Sequence, residues 1–206
     1  MNMDEAYQWL VESSEHSQCD AFDIHVAASI LALALTEAKQ GGRSVCDGAG
    51  LDGATLQALI AGMFPGAAAA FGDAAKDARV TIDGEEQSLR DILWMYSSNA
   101  SPLQRWLAAM IARRCSRPHH LWQDLGLRDR GELSRLMQRH FAPLAAKNRN
   151  DMKWKKFLYR MVCSTEGFTL CTAPVCSECD DFATCFGAED GEALLARIRN
   201  GRELAV

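Results

Sequence analysis

Residues 22–38 read FDIHVAASILALALTEA. Phe22, Val26, Ile30 and Leu33 recur at helical spacing, with alanines between them. Alanine loses no side-chain entropy in a helix and lets neighbouring helices approach closely. Gly41-Gly42 follows and predicts the stop, because glycine takes a left-handed cap position at little cost. A strong helix of this kind, with others of the same period after it, predicts an all-α protein.

Outward from it, residues 4–13 predict a short helix with Tyr7, Leu10 and Val11 as its apolar positions. Ser13 to Gln18 is polar and reads as a loop; Cys19 stands alone beside it, a core or surface thiol. His25 reads as a satisfied, partly buried histidine. Gly42 to Gly53 is glycine-rich and reads as a loop. Thr55 to Phe64 is a helix through Leu56, Leu59, Ile60 and Met63, stopped at Pro65-Gly66. Ala67 to Phe71 predicts a short helical turn, and Gly72 to Asp83 an extended loop. RVTIDG within it alternates, but one short strand has nothing to pair with. Glu85 to Tyr96 predicts a further helix, with Leu89, Ile92, Leu93 and Tyr96 on one side. Ser101 and Pro102 predict the cap and first position of a helix running to about Cys115.

Arg113 to Asp124 reads RRCSRPHHLWQD. One reading is a basic helix end, favourable against the helix dipole, followed by a packed loop after Pro118. The other is an anion or metal site using Arg113, Arg117, Cys115, His119 and His120. Asp129 to Phe141 is a further helix, with Leu133, Leu136, Met137, His140 and Phe141 on one side. Ala142 to Asn150 reads as a linker. Asn150 or Asp151 is expected to cap MKWKKFLYRMV, residues 152–162. That helix is two-faced. Trp154, Phe157, Leu158 and Met161 form the apolar stripe; Lys153, Lys156 and Arg160 lie opposite, either as a solvated face or as neutralisers of something anionic.

The helix leads into CSTEGFTLCTAPVCSECDDFATCFG, residues 163–187. Five of the eight cysteines are here: Cys163, Cys171, Cys176, Cys179 and Cys185. The last four are spaced C-x4-C-x2-C-x5-C. Thiolates are soft ligands that suit zinc, copper(I) and iron–sulfur clusters. A structural zinc needs four ligands, which these four supply. Zinc patterns usually separate two ligand pairs by a longer spacer. Here the whole set runs through short turns, as in the compact runs that wrap iron–sulfur clusters, without matching a ferredoxin spacing. Both metals stay open on spacing alone. Cys163 is one thiol more than either needs. Phe168, Phe182 and Phe186 are available as apolar cover, and Glu178, Asp180 and Asp181 make an acidic rim. Glu189 to Ile198 predicts a short helix before a fraying end.

The totals agree with a single helical body: 206 residues, 48 % apolar, 24 % charged. A net charge of -5 does not suggest a nucleic-acid partner. The acidic start MNMDEAYQWL lacks the basic region of a signal peptide. The apolar run Val26 to Leu35 reads as too short for a membrane span. A reducing cytoplasm is therefore expected, where cysteines serve metal or redox chemistry more often than disulfides. No phosphate loop, dinucleotide fingerprint or serine–histidine–acid arrangement is present. Four segments follow: a variable N-terminal segment, 1–19; a helical body, 20–162; a cysteine-rich module, 163–187; and a short helix and tail, 188–206.

The stretch LWQDLGLRDRGELSRLMQRHFAPLAAKNRNDMKWKKFLYRMVC, residues 121–163, followed by C-x4-C-x2-C-x5-C and CFG, resembles the NifQ family of nitrogen-fixation proteins. LIAGMFPGA, residues 59–67, fits that family more loosely. The resemblance implies an iron–sulfur cluster that takes up molybdenum, and donation of that molybdenum to the iron–molybdenum cofactor of nitrogenase. The implied partners are molybdate or a molybdenum–sulfur species, the nitrogenase iron protein and the cofactor scaffold complex. It implies Cys171, Cys176, Cys179 and Cys185 as cluster ligands and Cys163 as a fifth member. By position, Lys153, Lys156, Arg160, Arg113 and Arg117 are candidates to attract molybdate or offset cluster charge. His119 or His120 is a candidate to complete the molybdenum shell. Such a protein is a carrier rather than a turnover enzyme. Two other classes compete: a zinc-stapled helical binding module, which would be colourless, and a simple iron–sulfur electron-transfer or redox-sensing protein, which would hold iron without molybdenum.

Overall fold

The computed structural model describes residues 1–41, 43–72 and 78–165, with side-chain surroundings up to residue 162. Helices α1 to α5 are Met3–Glu12, Ala21–Gln40, Val45–Ala49, Gly53–Met63 and Ala68–Phe71. Helices α6 to α11 are Gly84–Met95, Pro102–Cys115, Leu121–Asp124, Arg130–His140, Ala142–Ala145 and Trp154–Thr165. No strand occurs among the described residues, as the helical periodicity predicts.

Short polar residues start these helices by accepting backbone amides that have no partner inside the helix. Asp20 accepts from the Phe22 N–H, Asp52 from Thr55, Asp83 from Glu86 and Asp129 from Glu132. Ser101 caps α7 as expected, with Pro102 first in the helix and Gln104 closing the capping box.

The core centres on α2. Val26, Ala27, Ala28, Ile30, Leu31, Ala32 and Ala34 are fully enclosed, so burial extends around the helix and not along one stripe. Helix α1 packs on it through Met3, Ala6 and Leu10, and α3 lies against its C-terminal half. Helix α6 packs on α7, and α11 packs on α6. The apolar positions expected of α4 and α9 are all buried: Leu56, Leu59, Ile60 and Met63; Leu133, Leu136, Met137, His140 and Phe141. On α11, Trp154, Phe157 and Leu158 are buried with Val162, while Met161 is half-buried. Helix α2 is long and apolar enough to cross a bilayer, contrary to the expectation from the shorter Val26–Leu35 run; 72 % of its apolar window is buried inside the bundle.

Four local expectations are corrected. The packed loop expected after Pro118 contains α8, Leu121–Asp124. The loop from Gly42 to Gly53 contains α3, because Ser44 and Asp47 form a capping box that nucleates a turn. The linker from Ala142 to Asn150 contains α10. Neither Asn150 nor Asp151 caps the next helix. Asp151 sits at φ 51° with its carbonyl and carboxylate accepting from Arg130 at 2.7 and 2.9 Å, and α11 begins at Trp154. Asn148 closes that loop, its amide donating to the Met152 carbonyl and its oxygen accepting from the Met152 N–H, both at 2.9 Å. Residues 78–83 have no regular structure, as expected of the extended loop; residues 73–77 and the helix expected over 189–198 lie outside the described residues.

Gly126, between α8 and α9, presses onto α2. Its φ is 72°, and a Cβ there would lie 2.9 Å from the Ser29 carbonyl oxygen and 3.2 Å from Met3 Cε. Gly126→Ala is expected to destabilise the fold by about 2 kcal/mol, from left-handed strain plus a backbone clash. Urea unfolding measures this as a lowered midpoint.

Candidate functional site

Helix α11 delivers the chain to Cys163, so the surroundings of α11 are the foundation of any site the cysteine segment forms. Its backbone is helical through Thr165, which places Cys163 on the final turn. Cys171, Cys176, Cys179 and Cys185 lie outside the described residues. On the polar face, Lys156 is exposed, and Lys153 and Arg160 are half-buried.

The residue that ties α11 to the rest of the site is Lys155, which the periodicity did not single out. Its ammonium donates to the Arg117 carbonyl at 2.5 Å, to the His119 carbonyl at 2.6 Å and to Asp124 Oδ2. An ammonium has three N–H bonds, and all three are used. Asp124 is 3 % exposed and accepts on its other oxygen from His119 Nδ1 at 3.1 Å. The turn containing Pro118 is therefore pinned to the first turn of α11 by one lysine and one carboxylate. His120 stands at the start of α8, its backbone N–H donating to Gln123 Oε1 at 3.2 Å.

The three arginines of this region are engaged. Arg114, fully buried, donates to Glu37 Oε1 at 2.6 Å, and Arg117 to Glu37 Oε2 at 2.6 Å. Burial pushes the Arg114 guanidinium below its ordinary value, with Glu37 acting against that shift. Arg113 lies 3.1 Å from Glu86 and donates to the Thr81 carbonyl at 2.8 Å. Of the basic residues offered from sequence position, Arg113 and Arg117 thus have carboxylate partners on α6 and α2.

Three other cysteines are placed. Cys115, at the end of α7, is buried, and burial pushes its thiol up to about 12 against the attraction of Lys155. Cys46 is buried too, and Cys19 is exposed. Tyr159 on α11 is raised by burial and by the neighbouring Cys115 and Glu85. His25 is satisfied as expected: Tyr7 Oη lies 2.9 Å from Nδ1 and Glu132 Oε2 3.1 Å from Nε2.

Among the described residues, no group of three or more His, Cys, Asp or Glu is placed to hold a metal ion. One open pocket of about 330 Å³ is lined by Trp94, Trp106, Arg90, Arg105, Asp52 and Asp91. Its charges are mixed, and Arg105 already lies over the Trp94 ring at 4.3 Å.

The fold and these contacts define a small helical protein whose cysteine-bearing helix is anchored by a buried charge network. Known proteins resolve the class further. The NifQ family profile matches residues 26–187, from inside α2 through the last cysteine. The chain is 39 % identical over 173 residues to the NifQ homolog protein of Sinorhizobium fredii, covering 84 % of this chain and 75 % of that one. It is 40 % identical over 161 residues to protein NifQ of Rhodobacter capsulatus, covering 78 % and 87 %. It is 38 % identical over 105 residues to protein NifQ of Azotobacter vinelandii, covering 51 % and 54 %. No solved structure matches. The chain belongs to the NifQ family.

Two outcomes test this geometry. Lys155→Ala leaves Asp124 buried without its cation, a loss expected to cost about 3 kcal/mol; chemical unfolding reads it directly. Cys115 is expected to resist alkylation at pH 8 in the folded protein, while exposed Cys19 reacts, as read by peptide mass mapping. Because burial raises the folded-state value of Cys115, its contribution to stability is complete below about pH 9 and disappears as pH climbs toward 12.

Proposed function

We propose that this chain is a molybdenum–iron–sulfur carrier, which takes up molybdenum and donates it for synthesis of the nitrogenase iron–molybdenum cofactor. The observation that carries the reading is the family match across residues 26–187, a span that contains Cys163 and the full C-x4-C-x2-C-x5-C series. In this reading, residues 163–187 form a cysteine-rich module borne by the helical body of residues 20–162. The N-terminal segment 1–19 and the tail 188–206 flank them. Cys171, Cys176, Cys179 and Cys185 hold the cluster, and Cys163 is a fifth thiol beside it.

The donor set fits the cargo. Molybdate is an oxyanion with hard oxygen ligands; entry into a metal–sulfur cofactor exchanges oxygen for sulfur. Soft thiolates hold iron and leave sulfide to meet the molybdenum. Lys153, Lys156 and Arg160, on the polar face of the helix that ends at the module, supply positive charge for an anionic cargo. Arg113 and Arg117 add to that field from within their ion pairs. The partners are molybdate or a molybdenum–sulfur species on the loading side, and the nitrogenase iron protein and the cofactor scaffold complex on the receiving side. We place this exchange in the cytoplasm. No membrane or nucleic-acid partner is part of it, and the protein acts by handover and not by turnover.

Protein purified without oxygen from molybdate-fed cells is expected to contain iron, acid-labile sulfide and molybdenum together. Replacement of Cys171, Cys176, Cys179 and Cys185 by alanine removes all three. Zinc as the sole metal of the wild-type protein overturns the reading in favour of a structural staple; iron without molybdenum leaves an electron-transfer or sensing role.

A further inference from the structure

Between α6, α7 and the α3–α4 connection, opposite charges line one pocket without pairing. Its volume is about 330 Å³, at the small end for a ligand site. Trp94 of α6 and Trp106 of α7, both half-buried, supply its largest apolar surfaces. Arg105, in the first turn of α7, lies over the Trp94 ring, 4.3 Å from the centroid. It has no carboxylate partner among the described residues. Asp91 accepts from Gln87 Nε2 at 2.8 Å, and Asp52 accepts from the Thr55 N–H at 2.7 Å, each through Oδ1. Neither aspartate has a cationic partner among the described residues. The second arginine of the pocket, Arg90, is already spent. Its Nε donates to Glu86 at 2.9 Å and its Nη2 to the Gly50 carbonyl at 2.6 Å. That bond ties α6 to the α3–α4 connection. Gly50, at φ 70°, sits so close to α7 that a Cβ would lie 2.6 Å from Arg113 Cβ. The walls are therefore fixed, while one guanidinium and two carboxylates of the lining are left unanswered.

We propose that this pocket binds a small zwitterion with an apolar side chain, of the chemistry of a free α-amino acid. Its carboxylate meets the Arg105 guanidinium, a planar fork that suits a carboxylate and that the indole beneath it holds flat. Its ammonium meets the unused carboxylate oxygens of Asp91 and Asp52, and its side chain lies against Trp94 and Trp106. Charge decides against the other small ligands. Glu86 answers Arg90, so the lining leaves one positive charge against two negative ones. A bare oxyanion such as phosphate or molybdate is repelled by the aspartates. A simple cation leaves Arg105 unanswered, and a purely apolar molecule leaves all three charges so. The volume suits one amino acid and not a dinucleotide. No residue of the cysteine segment takes part, so the site stands or falls independently of the carrier reading.

The test titrates the full chain with L-phenylalanine and reads the indole N–H signals by ¹⁵N NMR. Trp94 and Trp106 are expected to shift saturably, while Trp9, Trp122 and Trp154 stay in place. Arg105→Ala is expected to weaken binding about tenfold. The double variant Asp52→Asn, Asp91→Asn, in which asparagine keeps the cap of α4, is expected to do the same. All these residues are exposed, so the spectrum of each variant is expected to remain that of the folded protein. N-acetyl-L-phenylalanine, which lacks the ammonium, and phenethylamine, which lacks the carboxylate, are expected to bind about tenfold more weakly than the free amino acid. No shift of either indole at about 10 mM L-phenylalanine overturns the proposal. So does undiminished binding in both variants. Equal binding of N-acetyl-phenylalanine amide overturns it in favour of a peptide groove, and shifts with inorganic phosphate or molybdate in place of the amino acid overturn it in favour of an anion site.

Discussion

A twenty-residue helix buried around its whole circumference constrains every other part of this protein. Helix α2 has no solvent face wide enough to be left open, so neighbours must cover it from several directions. Alanine-rich spacing lets those neighbours come close, and the burial of Ile30, Leu31 and Leu33 supplies the drive. The few polar side chains on α2 cannot remain unpaired inside such packing. Ser29 and Thr36 bond back to carbonyls of α2 itself, and three others reach helices distant in sequence: Asp23 to His140 at 2.9 Å, His25 to Glu132 at 3.1 Å, Glu37 to Arg114 at 2.6 Å. These pairings orient α9 and the end of α7 on a surface that apolar contact alone leaves free to slide.

The charge network near Pro118 extends the same logic toward function. Burying charges costs several kcal/mol per ion unless each is matched and hydrogen-bonded. Here Glu37 answers Arg114 and Arg117, while Asp124 answers Lys155 and His119. The arrangement links α2, α7, α8 and α11, and α11 is the element that carries Cys163. A carrier has to present labile cargo from something that does not itself move. Cross-linking the base of the cysteine-bearing helix to the core provides that rigidity without adding a metal to the body.

Much of this was legible from single residues. The apolar sets of α4 and α9 repeat at one face, and Asp20, Ser101, Pro102 and Asp129 start helices by local chemistry that needs no distant partner. The helices that were missed are short. Val45–Ala49 depends on the Ser44–Asp47 box in a run dominated by glycine, and Leu121–Asp124 and Ala142–Ala145 are too brief to show a period. The displaced start of α11 has a different cause. Asp151 has the composition of a cap, but Arg130 claims it from across a loop. Lys155 was hidden between Lys153 and Lys156, since a run of lysines looks solvated until its surroundings are known.

The sequence by itself determined the helical class, most helix starts, the thiolate series and the family, because periodicity, capping and cysteine spacing are local or linear properties. Tertiary structure alone decided which charges are spent on one another. It paired Arg113, Arg114 and Arg117 with carboxylates up to 80 residues away, placed Lys155 on Asp124, and distinguished His119 from His120. Neighbouring histidines have the same chemistry in a sequence; only the position of a buried carboxylate gives His119 an acidic partner at Nδ1.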